Sequence, residues 1–227
     1  MIDTAGHCVS DGAGHFHTNW IFVPAYSSAA SGCLTTAGCF PYGKWTARRL
    51  ATTTEWHNFS NLKQDYGYAV LNTLGGQHIV NRLGGQGSRF NQSRTQTFRA
   101  YGYPQAAPFN GFDQKVCVSN RLANDNPSAR PGPLTMKISC NMTGGSSGGG
   151  WLIAMATSGL GYVNSHNSYG YVGQPGFMFV KSGRVSQSTS MVGGESVRLP
   201  AHGAGVLLAV ECVLGYRRLA AMTGSAQ

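Results

Sequence analysis

Short apolar stretches with no helical period set the pattern of this chain. Trp20–Val23, Tyr68–Leu71, Phe98–Tyr103, Gln114–Val118 and Trp151–Met155 are each apolar or alternating, and rich in aromatic and β-branched residues. Clusters of Gly, Pro, Asn or Ser bound each one. Short runs punctuated in this way predict strands of an all-β barrel or sandwich. No internal repeat is visible. A composition shift falls near residue 180, beyond which the chain has no Trp or Phe. Within that tail, the apolar run Val206–Val210 suits a last strand or part of a helix.

Composition narrows the class. The 227 residues suffice for one large domain or two packed lobes. Only 11% of residues are charged and 32 are glycine, so the surface is polar and turn-rich rather than charged. The formal net charge of +9 arises from a shortage of Asp and Glu. Arg and Lys are scattered, with Arg48–Arg49 and Arg217–Arg218 as adjacent pairs, so no patch for nucleic acid is expected. No apolar run reaches membrane-spanning length. The six cysteines contain no Cys-x-x-Cys pair. Their wide spacing fits disulfides formed in an oxidising compartment, and hence a secreted protein; no cofactor is expected.

Three segments carry candidate chemistry. In Gly144–Trp151, glycines surround Ser146 and Ser147; they let the backbone turn sharply and bring N–H groups towards a developing oxyanion. No Gly-Lys-Ser/Thr follows, which removes a phosphate-loop reading. A serine nucleophile needs a base, and His7 stands out among seven histidines because small residues precede it and a cysteine follows. His15 and His17 could join His7 on a metal, but no carboxylate partner is evident, so no metal is expected. A carboxylate must fix the histidine's tautomer. Asp65 opens an apolar strand-like segment, whereas Asp113 and Asp125 lie among loop residues. The chain order His, Asp, Ser is that of chymotrypsin and not of subtilisin or the α/β-hydrolases.

Thr4–Cys8, Asp65–Val70 and Gly144–Trp151 together resemble the three blocks of the trypsin-like serine peptidases, in particular secreted bacterial members such as the V8-like glutamyl endopeptidases. Tyr101–Pro104 is similar to that group as well. The resemblance covers about residues 4–179. It implies two antiparallel six-stranded β-barrels of chymotrypsin type, with the first incomplete. The expected lobes are 1–95, carrying His7 and Asp65, and 96–180, carrying Ser147. Residues 181–227 form an atypical, poorly ordered tail.

The resemblance also implies roles. His7 is the base, Asp65 its orienter and Ser147 the nucleophile, with the N–H groups of Gly145 and Ser147 as the oxyanion hole. Ser168, Tyr169 and Gly170 form the edge that binds extended substrate, and Asn141 the base of the specificity pocket. Asn141 in place of aspartate argues against an Arg/Lys preference. Ser146 in place of aspartate removes the activation switch of animal trypsins, and Gly150 replaces a usual proline. Cys8 loses its partner because the strands that normally precede the histidine block are missing. Cys117–Cys140 and Cys33–Cys39 are the expected disulfides. The expected activity is that of a monomeric serine endopeptidase acting on polypeptides. The alternatives are an inactive protease-fold fragment or binding module and, independently, a polysaccharide-binding surface protein.

Overall fold

A computed structural model of the chain describes residues 1–26 and 40–171, together with the backbone of 177–180, 191–192 and 207–208. Nearly all regular structure is β. One sheet contains β1 (Ile2–Ala5), β2 (Ile21–Phe22), β3 (Trp45–Thr53), β4 (Tyr66–Leu71), β12 (Met191–Val192) and β13 (Leu207–Leu208), in the order β12-β3-β4-β1-β13 with β2 also on β3. The other contains β5 (Gly87–Ser88), β6 (Thr97–Gly102), β7 (Lys115–Asp125), β8 (Thr135–Ser139), β9 (Gly150–Ile153), β10 (Tyr162–His166) and β11 (Phe177–Val180), in the order β11-β8-β7-β6-β9-β10-β5.

The sheets depart from an all-antiparallel plan at two edges, where β13 runs parallel to β1 and β5 parallel to β10. At the second edge a side chain on Gly87 would strike the Tyr162 ring at 2.7 Å, so glycine permits the close approach. The Arg89 guanidinium then lies 3.6 Å from the centroid of the same ring.

Each sheet buries its own core. Ile2, Phe22, Trp45, Ala69, Leu71 and Ile79 pack inside the first. The second packs Phe98, Ala100, Met136, Ile138, Trp151 and Ile153. Cys140, just past β8, is disulfide-bonded to Cys117 on β7, as expected. Cys8 is also disulfide-bonded. The expectation that it lacks a partner is therefore wrong: pairing does not depend on a cysteine upstream of the histidine block. Cys33, Cys39 and Cys212, with the suggested Cys33–Cys39 bond, lie outside the described residues.

Among the described residues two short α-helices interrupt the strands, α1 (Thr54–Phe59) and α2 (Ile79–Leu83). The Thr53 hydroxyl caps α1 by accepting from the Trp56 N–H, and Ser60 ends it in the left-handed region. Helix α1 carries Trp56 beneath the turn that holds His7.

Candidate active site

Strand β1 runs directly into a 3-10 turn at Gly6–Cys8, and His7 sits on it. Two glycines make this region compact. A Cβ on Gly6 would meet the Trp56 ring at 2.7 Å, and one on Gly67 would meet the Ala5 carbonyl oxygen at 2.3 Å. Strand β4 can thus press against β1, which sets Asp65 at its start beside His7.

The contact is made twice. The His7 backbone N–H donates to Asp65 Oδ1 at 2.7 Å, and His7 Nδ1 lies 2.8 Å from Asp65 Oδ2. A carboxylate can only accept, so Nδ1 carries the proton and Nε2 is the nitrogen left to act as a base. Asp65 is fully buried, whereas the His7 side chain keeps 27% of its exposure and can meet substrate. The Ser168 hydroxyl donates a hydrogen bond to Asp65 Oδ2. On the far side, His17 donates from Nε2 to the His7 carbonyl at 3.1 Å, and the Trp20 indole donates to that of Cys8 at 3.0 Å.

The serine loop is held by backbone rather than by charge. Ser147 is half-buried in a turn, between Gly145 at φ +100° and Gly148 at φ +76°. A Cβ on Gly148 would fall 2.1 Å from Thr4 Oγ1, so the loop lies against the strand that leads to His7. Asn167 pins it by donating from Nδ2 to the carbonyls of Tyr101 and Ser146 at 2.7 and 2.9 Å, while its own carbonyl accepts the Gly148 N–H at 2.9 Å. The Trp151 indole donates to Asn167 Oδ1 at 2.7 Å. The N–H groups of Gly145 and Ser147 donate to no described group, which leaves both for a ligand. Ser147 Oγ makes no hydrogen bond among the described residues, so the third link of the expected triad is open. In unliganded enzymes that bond is often long and tightens only around substrate.

The remaining expected residues divide. Ser168 is buried, and its side chain serves Asp65. Tyr169 is half-buried and Gly170 exposed, beyond the end of β10. Asn141 is exposed and follows the Cys117–Cys140 bridge. Asp125 corrects its loop assignment, since it ends β7. It accepts from the Tyr169 and Tyr171 hydroxyls at 2.5 and 2.9 Å, and burial followed by this bond pushes Tyr171 up to about 12. His15 likewise has the carboxylate partner that the sequence hid, Asp11 at 3.0 Å on an exposed loop. No group of three potential metal ligands occurs among the described residues.

The sequence reading missed Asp3, His166 and Asn167. Asn164 to Ser168 are polar without exception, yet all are at least nine-tenths buried. A dense polar run directly before the Ser-Tyr-Gly edge was the available signal.

A buried carboxylate locking a histidine tautomer, beside a glycine-rich serine loop with free N–H groups, defines a hydrolase of the chymotrypsin type. Protein relatives of known structure agree. The protease Anisep from Arthrobacter nicotinovorans is 43% identical over 82% of this chain and 80% of its own, with a TM-score of 0.68. The thermostable serine protease AL20 from an extremophilic microorganism is 42% identical over 79% and 77%, with a TM-score of 0.66. A Glu endopeptidase solved with MPD, 15% identical over 80% and 75% with a TM-score of 0.57, shares the fold. No family model and no curated protein sequence matches the chain. The chain belongs to the trypsin-like serine peptidases and has their chymotrypsin fold.

Proposed function

We propose that this protein is a serine endopeptidase that cleaves polypeptides through an acyl-enzyme, with Ser147, His7 and Asp65 as its triad. The observation that carries the reading is the double hydrogen bond from His7 to buried Asp65, which leaves Nε2 as the basic nitrogen. Ser147 Oγ attacks the scissile carbonyl and its proton passes to His7 Nε2. The N–H groups of Gly145 and Ser147 receive the oxyanion. His7 then gives the proton to the leaving amine. Water, activated by the same nitrogen, hydrolyses the acyl ester and frees Ser147.

Tyr169 and Gly170 supply a backbone edge for an extended substrate, by strand addition. This reading assigns Asn141, exposed just after the Cys117–Cys140 bridge, to the pocket for the residue before the cleaved bond. Among the described residues no helix is long and apolar enough to cross a membrane. Export is supported by disulfide bonding of Cys8, Cys117 and Cys140.

The unbonded Ser147 hydroxyl is what favours the rival reading, a protease-fold binding module without catalysis. A fluorophosphonate probe separates the two. The proposal expects covalent labelling of the native chain at Ser147, and a loss of kcat of roughly 10⁶-fold in Ser147→Ala. Folded wild-type protein that neither labels nor cleaves casein would overturn it.

A further inference from the structure

Beside Asp65 lies a second histidine–carboxylate pair that the triad chemistry does not use. His166, at the end of β10, is 1% exposed. Its Nε2 is 2.7 Å from the backbone carbonyl of Asp65. A carbonyl only accepts, so Nε2 carries a proton whichever form the ring takes. Its Nδ1 lies 3.5 Å from Oδ2 of Asp3, a β1 residue that is 8% exposed. That separation is long for a hydrogen bond, yet among the described residues Asp3 Oδ2 has no hydrogen-bond partner. A buried carboxylate oxygen without one carries a desolvation penalty, which an adjacent imidazolium offsets.

The Tyr66 and His166 rings stand nearly perpendicular with centroids 5.5 Å apart, and Tyr68, Ser165 and Asn164 line the same small cavity. Burial by itself would disfavour the protonated form of His166. The Asp3 carboxylate 3.5 Å away, together with the charge and carbonyl of Asp65, outweighs it and holds the ring above its ordinary value. The charged and titratable groups facing the ring are Asp3 from β1, Asp65 at the start of β4, and Tyr66 and Tyr68 on β4. Burial and the charge of Asp3 keep Tyr68 neutral by pushing its pKa well up.

The topology gives this pair a purpose. Strand β1 delivers His7 and belongs to the first sheet, whereas β10 leads into Ser168 and the substrate edge and belongs to the second. The contacts of His166 with Asp3 and Asp65 and that of Ser168 with Asp65 tie the sheets together at the carboxylate. We propose that Asp3 and His166 form a buried ionic staple between the two lobes that fixes the backbone of Asp65, making both of them positioning residues for catalysis. The inference rests on the reading of Asp65 as the triad carboxylate. Neither side chain reaches the reacting atoms, so the pair acts on turnover and not on substrate affinity.

Two measurements on the full chain test it. The first is ¹⁵N NMR of the histidine rings at pH 7, with His166→Gln to assign the signal. The staple requires both ring nitrogens of His166 to be protonated; a neutral ring overturns it, whatever the enzyme does. The second is peptide hydrolysis by Asp3→Asn and His166→Gln, with kcat normalised to sites counted by the fluorophosphonate so that unfolded chains drop out. Each substitution is expected to lower kcat about tenfold with KM within twofold, and the double variant to be no worse than the worse single one. Normalised kcat within twofold of wild type in both single variants overturns the positioning role, as does a change confined to KM. If wild type itself fails to label, the triad reading falls, and the NMR result still decides whether the staple exists.

Discussion

The two halves of the site are built by different means. On the histidine side every oxygen of Asp65 has a named donor: Oδ1 takes the His7 N–H, Oδ2 takes the His7 ring and Ser168, and the carbonyl takes His166. Side-chain charge and hydrogen bonds fix that half in a buried setting, where such bonds are strong and their loss is costly. On the serine side Ser147 Oγ and two N–H groups bond to nothing described, and the loop is shaped by glycines and pinned from outside by Asn167. One half is satisfied before substrate arrives. In the proposed mechanism the other holds its donors in reserve for a charge that exists only in the transition state. Substitutions on the first side should therefore damage chemistry in a folded protein, and glycine substitutions on the second should damage the fold first.

Asp65→Asn is the strongest way to break the first half. An amide has one acceptor oxygen in place of two, so the His7 N–H and the His7 ring cannot both be served. If the amide nitrogen faces the ring, it donates to Nδ1 and drives the ring proton to Nε2, where it blocks transfer from Ser147. The expected loss is roughly 10⁴-fold in kcat at neutral pH, with an unaltered circular dichroism spectrum. A loss under tenfold would show that the His7 tautomer is set by something other than this carboxylate.

Gly148→Ala probes the opposite half. Its φ of +76° is unfavourable for an L residue, and the added methyl would sit 2.1 Å from the hydroxyl of buried Thr4. Left-handed strain and overpacking together predict destabilisation of about 3 kcal/mol, read from the urea midpoint. Molecules that remain folded should still label with fluorophosphonate. Unchanged stability would mean that the loop does not lie against β1 as closely as the structure shows.

The same contrast governs what could be read from sequence. Apolar strands were legible where alternation or an apolar run was uninterrupted: Phe98–Tyr103 anticipated β6, and Trp151–Met155 anticipated β9. Strand β3 was missed because Arg48 and Arg49 interrupt its apolar positions and a register shift between Ala47 and Arg49 spoils the period. Strand β1 was missed because Asp3 and Thr4 look like surface residues, although all four of its positions are buried. Helix α1 is too short for a helical period to show; only its Thr53 cap marks it. In the site, His7 and Asp65 were legible because their neighbours are small or apolar and so mark an unusual place for a polar group. Ser168 was expected to present its backbone to substrate, and its tie to Asp65 was not foreseen. That tie spans 103 positions, and nothing local to a serine reports which carboxylate it will meet.

Ser168→Ala sharpens the comparison with the smallest change. It removes the donor to Asp65 Oδ2 while both His7 bonds to the same carboxylate remain. Ser168 is 6% exposed, so water cannot readily take the vacated place. A hydrogen bond to a buried charge contributes about 1.5–3 kcal/mol, which on turnover corresponds to roughly tenfold to a hundredfold. Part of that will appear as lower stability, since the bond also joins β10 to the first sheet, so urea midpoint and kcat must be measured on the same preparation. The expected outcome is a loss of kcat at constant KM, because the main-chain edge at Tyr169 and Gly170 is untouched. Should KM rise instead while kcat holds, Ser168 would serve the substrate edge and not the carboxylate. The rigid half of the site would then consist of His7, Asp65 and the residues behind them.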